Sequence, residues 1–430
     1  VKPNITSPER RLKYAATIND EALPESTTPD FELTYIDIGN VDSQGTIHDV
    51  VDYRFDDAPS RARRIVRDGD VIISTVRTYL QAIAPIENPP DNLVVSTGFA
   101  VVRPSDSLDH RFCKYALRAS RFLWEVESRS TGVSYPAINS SELGDIKVDI
   151  PCIDKQKEIA SYLDRETSRI DALIAEKERM LALLEKKRAG LISRVVTQGL
   201  NPDAPLKDSG QEWLGMIPAH WKLIRIKHVT ASLDQGSSPV AANTPAAPGE
   251  LGILKLSAVS KGRFKREENK ALREKEEEEQ LLALVKGDVL ITRGNTPDLV
   301  ADAAVVPEDE PNLLLPDLIY RLRAEDRVMA PEYLASFLIT PAARVQIRRD
   351  ARGSSGSMVK VSQSHVLDWV TPLPPLAEQL EIINYLREKE SHQELLSREV
   401  SSSLELLIER RAALITAAVS GQISVEEMSQ

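Results

Sequence analysis

Aromatic residues make up only 5% of the 430-residue sequence, and there are just two cysteines, Cys113 and Cys152. So few cysteines exclude a disulfide framework and point to a reducing compartment, the cytoplasm. No run approaches the 18 apolar residues that would suggest a membrane span. The opening VKPNITSPERRLKY is polar and lacks a signal-peptide core. There is no GxxxxGK[ST], so the phosphate cradle of an ATPase is missing. The histidines (His48, His110, His220, His228, His365 and His392) stand at no metal-ligand spacing with one another or with the cysteines. Asn88-Pro89-Pro90 is followed by Asp91 where an amino-methyltransferase loop needs an aromatic residue. Pro316-Asp317 lacks the downstream Glu-x-Lys of a nuclease. No catalytic residue, bound cofactor or metal is therefore expected in this chain.

Positive charge is also short: the net charge is −11 and the pI about 5.3. Taken alone this opposes nucleic-acid binding, but a phosphate backbone responds to local field rather than to total charge. Much of the acidity is concentrated in residues 274–279 (EKEEEE), while Arg61, Arg63, Arg64 and Arg67 form one basic cluster and Arg344, Arg348, Arg349 and Arg352 another.

What the chain does have is a long helix, and it has it twice. From 154 to 197, Ile159, Leu163, Ile170, Leu173, Met180, Leu184, Leu191 and Val195 mark one stripe, with Asp154 as a candidate N-cap. About 44 residues at ~1.5 Å each span roughly 65 Å, and so narrow a stripe needs a partner helix. Residues 377–421 supply it. Gln156 matches Gln379, Ile159 matches Ile382, Leu163 matches Leu386, Arg188 matches Arg411 and Ile192 matches Ile415, each pair offset by 223 (379 − 156; 415 − 192), without a gap. This is an internal duplication. Arg188 and Arg411, with Lys186, Lys187 and Arg410, are expected mainly as salt-bridge formers.

The duplication extends to the regions before each helix. Leu33 to Ile38, Val71 to Thr75 and Leu93 to Val102 read as strands, 59–66 as a short helix, 112–126 as one helix and 130–139 as a polar loop. Leu12-Lys13-Tyr14 corresponds to Ile226-Lys227-His228, Gly69-Asp70-Val71 to Gly287-Asp288-Val289, and 93–104 to 313–323. The polar loop 130–139 corresponds to a glycine- and serine-rich loop at 352–360. Residues 199–221 are a connector rich in turn formers, whose Trp213, Leu214, Ile217 and Trp221 imply that it packs down. The expected fold is α+β: two globular parts separated by an antiparallel coiled coil of two long helices, with a pseudo-twofold repeat.

Three signatures coincide: a glutamine near each helix start (Lys155-Gln156, Glu378-Gln379), matching helix ends (188–197 and 411–421), and SGQEWLGMIPAHW at 209–221. Together with the duplication, they make the sequence resemble the specificity subunits of type I restriction-modification enzymes over essentially its whole length. Two departures stand out. Lys155 replaces a glutamate, and the first copy has no IPxHW segment before Arg11. That gap, and a start at Val rather than Met, raise an alternative start codon or a trimmed terminus. The resemblance implies target recognition domains at 1–150 and 222–372 and spacer helices at 151–199 and 373–424. A connector at 200–221 and a tail at 425–430 complete the division. Each domain would read one part of a split, asymmetric site in double-stranded DNA. The chain itself would be non-catalytic. Its partners would be two modification subunits using S-adenosylmethionine and restriction subunits using ATP and magnesium.

Base readers should be polar side chains on loops. The candidates in the first copy are Ser74, Arg77, Thr78 and Tyr79, then Ser130, Thr131, Gly132, Ser134 and Tyr135, with Arg61, Arg63 and Arg64 as positioning contacts. In the second copy they are Thr292, Arg293 and Asn295, then Arg352, Ser354, Ser355, Ser357 and Lys360. Arg77 and Arg293 head the set. The competing reading is a coiled-coil scaffold or regulator that binds only protein, which the acidity favours; the unlike Arg- and Ser-bearing loops favour DNA.

Overall fold

A computed structural model describes residues 9–272, 282–355 and 358–428. The acidic run 274–279 and Ser357 lie outside the described residues. The chain divides into two compact units, Val1–Arg179 with Val400–Gln430, and Met180–Glu399.

The two long helices run Ile153–Gln198 and Leu376–Val419. The first starts one residue before Asp154, where the Gln156 N–H donates to the Cys152 carbonyl; Asp154 lies in the first turn and is not the cap. A glycine in the left-handed region follows each helix, Gly199 at φ 77° and, after Ser420, Gly421 at φ 73°, a common way to satisfy the last carbonyls. Within the first unit the start of the first helix lies beside the end of the second, tied by Arg411 Nε to Asp171 at 2.7 Å. Within the second unit Arg188 Nε donates to Glu390 at 2.9 Å and Arg188 Nη1 to the Lys261 carbonyl at 3.0 Å. The inward stripe of the first helix runs 163, 167, 170, 174, 177, 181, 184, 188, in alternating steps of four and three. It passes through polar Thr167 and Arg188, which an apolar count skips. Ile174 therefore replaces Leu173, and Leu173 and Met180 are about half exposed.

The first unit holds two four-stranded sheets. One has the order Ala16–Ile18, Phe99–Pro104, Val71–Ser74, Ile83–Pro85, all antiparallel. The other has the order Val51–Arg54, Glu32–Ile36, Leu93–Ser96, Ala62–Ile65, its central pair parallel. The second unit repeats both: Thr230–Gln235, Ile319–Ala324, Val289–Thr292, Ala303–Val305, and then Asn269–Ala271, Gly252–Leu254, Glu310–Leu314, Ala283–Leu284, again with one parallel central pair. Each unit buries its own apolar core against its share of the long helices. The connector packs as expected: Leu206–Asp208 pairs with Met216–Pro218, and Ile217 and Trp221 are fully buried in the second unit.

Local expectations fail at several places. Residues 59–66 contain a strand, Ala62–Ile65, because Ala62, Arg64 and Ile65 pair with Ser96, Val95 and Val94. The helix expected at 112–126 is two, His110–Ala116 and Ser120–Arg129, the first capped by the Asp109 carboxylate. The run 93–102 breaks at Thr97-Gly98 into two strands that belong to different sheets. The loop expected at 352–360 begins and ends as antiparallel strands, Arg352–Ser355 and Met358–Lys360.

Candidate nucleic-acid interface

In the first unit the interface grows from the end of the fully buried strand Val71–Ser74. Thr75 donates both its N–H and its hydroxyl to the Gly98 carbonyl, at 2.8 and 2.9 Å. The next residues turn outward through a short helical turn, Thr78–Leu80, bracketed by Arg77 at φ 53° and Gln81 at φ 51°. Two left-handed non-glycine residues so close together mark a backbone held against its preference. What holds it is the second loop. Thr131 and Ala137 exchange two backbone hydrogen bonds of 2.9 Å, and the Pro136 carbonyl accepts from the Arg77 N–H at 2.8 Å. The Arg77 guanidinium lies 4.8 Å from the Tyr135 ring centroid, a cation–π distance. Gly132 sits at φ 114°, where an L side chain is strained, and a Cβ there would stand 3.0 Å from the Tyr135 carbonyl oxygen, a tight contact.

The structure thus brings together two loops that lie about fifty residues apart in the chain. Arg77, Tyr79, Thr131, Ser134 and Tyr135 are exposed on them. Ser74 and Thr78 are buried: the Ser74 hydroxyl donates to the Val76 carbonyl at 2.6 Å, and Thr78 pairs with the Ser130 hydroxyl at 2.8 Å. Ser130 in turn donates to the Val126 carbonyl at 2.7 Å. These three hydroxyls brace the loops. Arg61, Arg63 and Arg64 sit on the strand Ala62–Ile65 and beside it. Arg61 is exposed, with its carbonyl accepting from Thr97. Arg63 stacks over Phe55 at 4.5 Å. The Arg64 Nε is buried without a hydrogen-bond partner, and desolvation holds the Arg64 pKa below its usual value.

The second unit builds on the same frame. The Arg293 N–H donates to the Leu318 carbonyl at 2.8 Å and its carbonyl accepts from Val361 at 2.9 Å, as Thr75 does with Gly98 and Ile138. After the second loop Asn139 caps one short helix and Ser362 caps the other, each with a capping box. By these bonds Thr75 corresponds to Arg293, Val76 to Gly294 and Arg77 to Asn295. The two arginines chosen from the sequence therefore stand at different positions. Thr292 is fully buried and its hydroxyl donates to the Leu299 carbonyl at 2.9 Å. Gly294 and Asn295 pair with Lys360 and Val359, and Arg352 pairs with Lys360, so Asn295, Arg352 and Lys360 converge, while the half-buried Arg293 donates from Nη1 to the Asp317 carbonyl at 3.4 Å. Ser354 and Ser355 belong to the strand Arg352–Ser355 of the same small sheet. Of the second basic cluster, Arg344 and Arg348 are spent holding residues 297–300.

Two features escaped the sequence reading. Val133 is fully exposed at the tip of the second loop; its signal was a lone branched apolar residue inside an otherwise polar STGVSYP. Arg11, Arg121, Arg129 and Lys147 line a cleft of about 410 Å³ with Glu125 and Asp145. Hydrogen bonds from Arg121 and Lys147 hold the neighbouring Glu9 carboxyl below its usual pKa. Among the described residues no group of acidic, His or Cys side chains is placed to hold a metal, and no helix is long and apolar enough to cross a membrane.

Comparison with known proteins agrees with this architecture. Residues 62–181 match the family model described as the type I restriction modification DNA specificity domain. The EcoKI specificity subunit of Escherichia coli K12 is 24% identical over 334 residues, covering 76% of this chain and 68% of that protein. The EcoEI specificity subunit of E. coli is 23% identical over 210 residues, 49% of this chain and 35% of its own length. One solved chain, from work on assembly and conformational transition of the type I R-M system, shares the fold at a TM-score of 0.66. It is 21% identical, with 97% of this chain and 98% of that one covered. A duplicated frame carrying two unlike polar loop clusters, set on paired long helices, is thus similar in sequence and in fold to the DNA specificity subunits of type I restriction-modification systems.

Proposed function

We propose that each unit reads one part of a bipartite, asymmetric site in double-stranded DNA. Residues 76–81 and 130–138 form one reader and residues 293–295 with 352–360 the other, within recognition segments 1–150 and 222–372. Arg77 with Tyr135, and Arg293 with Asn295, Arg352 and Lys360, supply base and phosphate contacts. Ser74, Thr78, Ser130 and Thr292 hold the loops in place.

The chain performs no chemistry. It brings to the site two methyltransferase subunits and the ATP-dependent restriction subunits, so S-adenosylmethionine, ATP and magnesium are used on those partners, in the cytoplasm. The observation that carries this reading is that one backbone frame, repeated bond for bond, presents chemically different loops at the same place. A scaffold binding only protein has no use for that difference. The test is binding of defined duplexes by the complex of this chain with its methyltransferase partner. Sequence-specific retention is expected; retention equal on all duplexes contradicts the reading.

A further inference from the structure

Exposed apolar side chains are common on protein surfaces and need no explanation one at a time. The first unit's loops show four together: Val133 is fully exposed, Tyr135 61%, Tyr79 54% and Leu80 42%. They stand where hydroxyls and a guanidinium would be expected to do all the work. The loops are also ordered at a cost. Arg77 and Gln81 occupy left-handed backbone, Gly132 holds a φ of 114° that strains any side chain, and the Thr131–Ala137 ladder closes the tip. A chain under no constraint at Val133 would not need so firm a mount for an apolar tip. Valine adds stiffness of its own, since branching at Cβ leaves few side-chain orientations.

The base edges of DNA offer one prominent apolar feature, the C5 methyl of thymine, and it faces the major groove. Beside Val133, Arg77 is stacked on Tyr135 and exposed, suited to hydrogen-bond acceptors such as guanine O6 and N7. An apolar knob next to a hydrogen-bonding fork fits a thymine next to an acceptor-bearing base pair. The second unit's reader differs: its exposed apolar side chain is the flexible Met358, 42% exposed, and its two loops bring Lys360 opposite both Gly294 and Arg352.

We propose that Val133 is a specificity-determining residue that meets the C5 methyl of one thymine in the major groove, separating T·A from C·G at that base pair. The inference rests on the DNA reading above and adds a residue and a base chemistry to it.

The test uses the full chain in complex with its methyltransferase partner. Methylated positions in host DNA define the site, and binding is then measured on duplexes in which each thymine in turn is replaced by uracil, which removes only the methyl. One thymine in one part of the site should show a loss of about three- to tenfold, the worth of one buried methyl. Val133→Ala should abolish that loss and tolerate C·G there, and 5-methylcytosine at that pair should rescue binding by the unaltered complex but not by the variant. Arg77→Ala, which alters the same loop pair, should weaken binding yet leave the uracil effect in place. Specific binding with no uracil-sensitive position, or a sensitivity that survives Val133→Ala, overturns the proposal while leaving the DNA reading standing. No sequence preference by the unaltered complex overturns the DNA reading, and this contact with it.

Discussion

The two units agree where they are buried and differ where they are exposed. In the first, Gln156 accepts from the Asp109 N–H at 2.8 Å and donates to the Ser107 and Pro151 carbonyls at 2.9 and 2.8 Å. In the second, Gln379 accepts from the Ala330 N–H at 2.8 Å and donates to the Val328 and Pro374 carbonyls, both at 2.9 Å. Buried Asp70 is bracketed by Arg103 as buried Asp288 is by Arg323. Against this sameness, the loops at the ends of the equivalent strands share neither sequence nor chemistry. A buried polar group has one geometry that satisfies it, so it pins register; a solvated loop carries no such constraint and is free to specialise. Packing also diverges once. The short helix beside the long ones and the turn after it carry Lys114, Tyr115 and Arg118 in the first unit and Ala335, Ser336 and Ile339 in the second, counting from the caps Ala119 and Thr340. The smaller residues are part of the lining of a cavity of about 710 Å³ in the second unit.

The strongest way to break the comparison is at the glutamines. Gln156→Leu and Gln379→Leu each strand one buried N–H and two carbonyls, and each should cost about 2–4 kcal/mol, read by hydrogen exchange at Asp109 and Ala330. Costs that differ by more than about 1 kcal/mol would mean the frames are not equivalent. The arginine brackets sharpen it. Arg103→Ala leaves Asp70 without its cation and should destabilise the first unit by about 2–3 kcal/mol. Arg323→Ala should cost about 1 kcal/mol, because Arg321 remains 3.9 Å from Asp288. Chemical denaturation of the two variants measures the gap. For the loops, Arg77→Ala should weaken specific binding by about 1–3 kcal/mol and leave thermal stability unchanged.

The smallest effect separates the units by pH. Hydrogen bonds from Arg67 and Arg103 pull the Glu21 carboxyl down to about 2. Its stabilisation is complete above the ordinary glutamate range and fades as the pH falls from there through about 2. Arg323 has no second acidic hydrogen-bond partner of this kind among the described residues. The melting temperatures of Glu21→Gln and the unaltered chain should therefore differ at pH 7, and the gap should narrow below the ordinary glutamate range and close only as the pH passes about 2.

Much of the frame was legible because it is repeated. A 223-residue offset without gaps identified both long helices and the matched glutamines before any side-chain contact was known. The strands that were missed are short, and their pairing is set by partners distant in the chain, as with Ala62–Ile65 on Leu93–Ser96. The break between the helices His110–Ala116 and Ser120–Arg129 has no strong signal in the first copy; its signal, Thr340-Pro341, stands in the second. At the interface, residue type could place hydroxyls on the loops but not say which way they face. Ser74, Thr78 and Thr292 turn inward to carbonyls or hydroxyls, a choice made by tertiary context. Val133 gives no polar signal, being the apolar residue inside an otherwise polar loop.

If the two loop clusters read two different parts of one site, changing one cluster alters one part alone. Sequencing methylated DNA from hosts carrying the complex with Arg77→Ala, and separately with Asn295→Ala, the residue at the corresponding position, tests this directly. The first change should blur only one part of the site and the second only the other. Both changes blurring the same part, or either one blurring both, would contradict it.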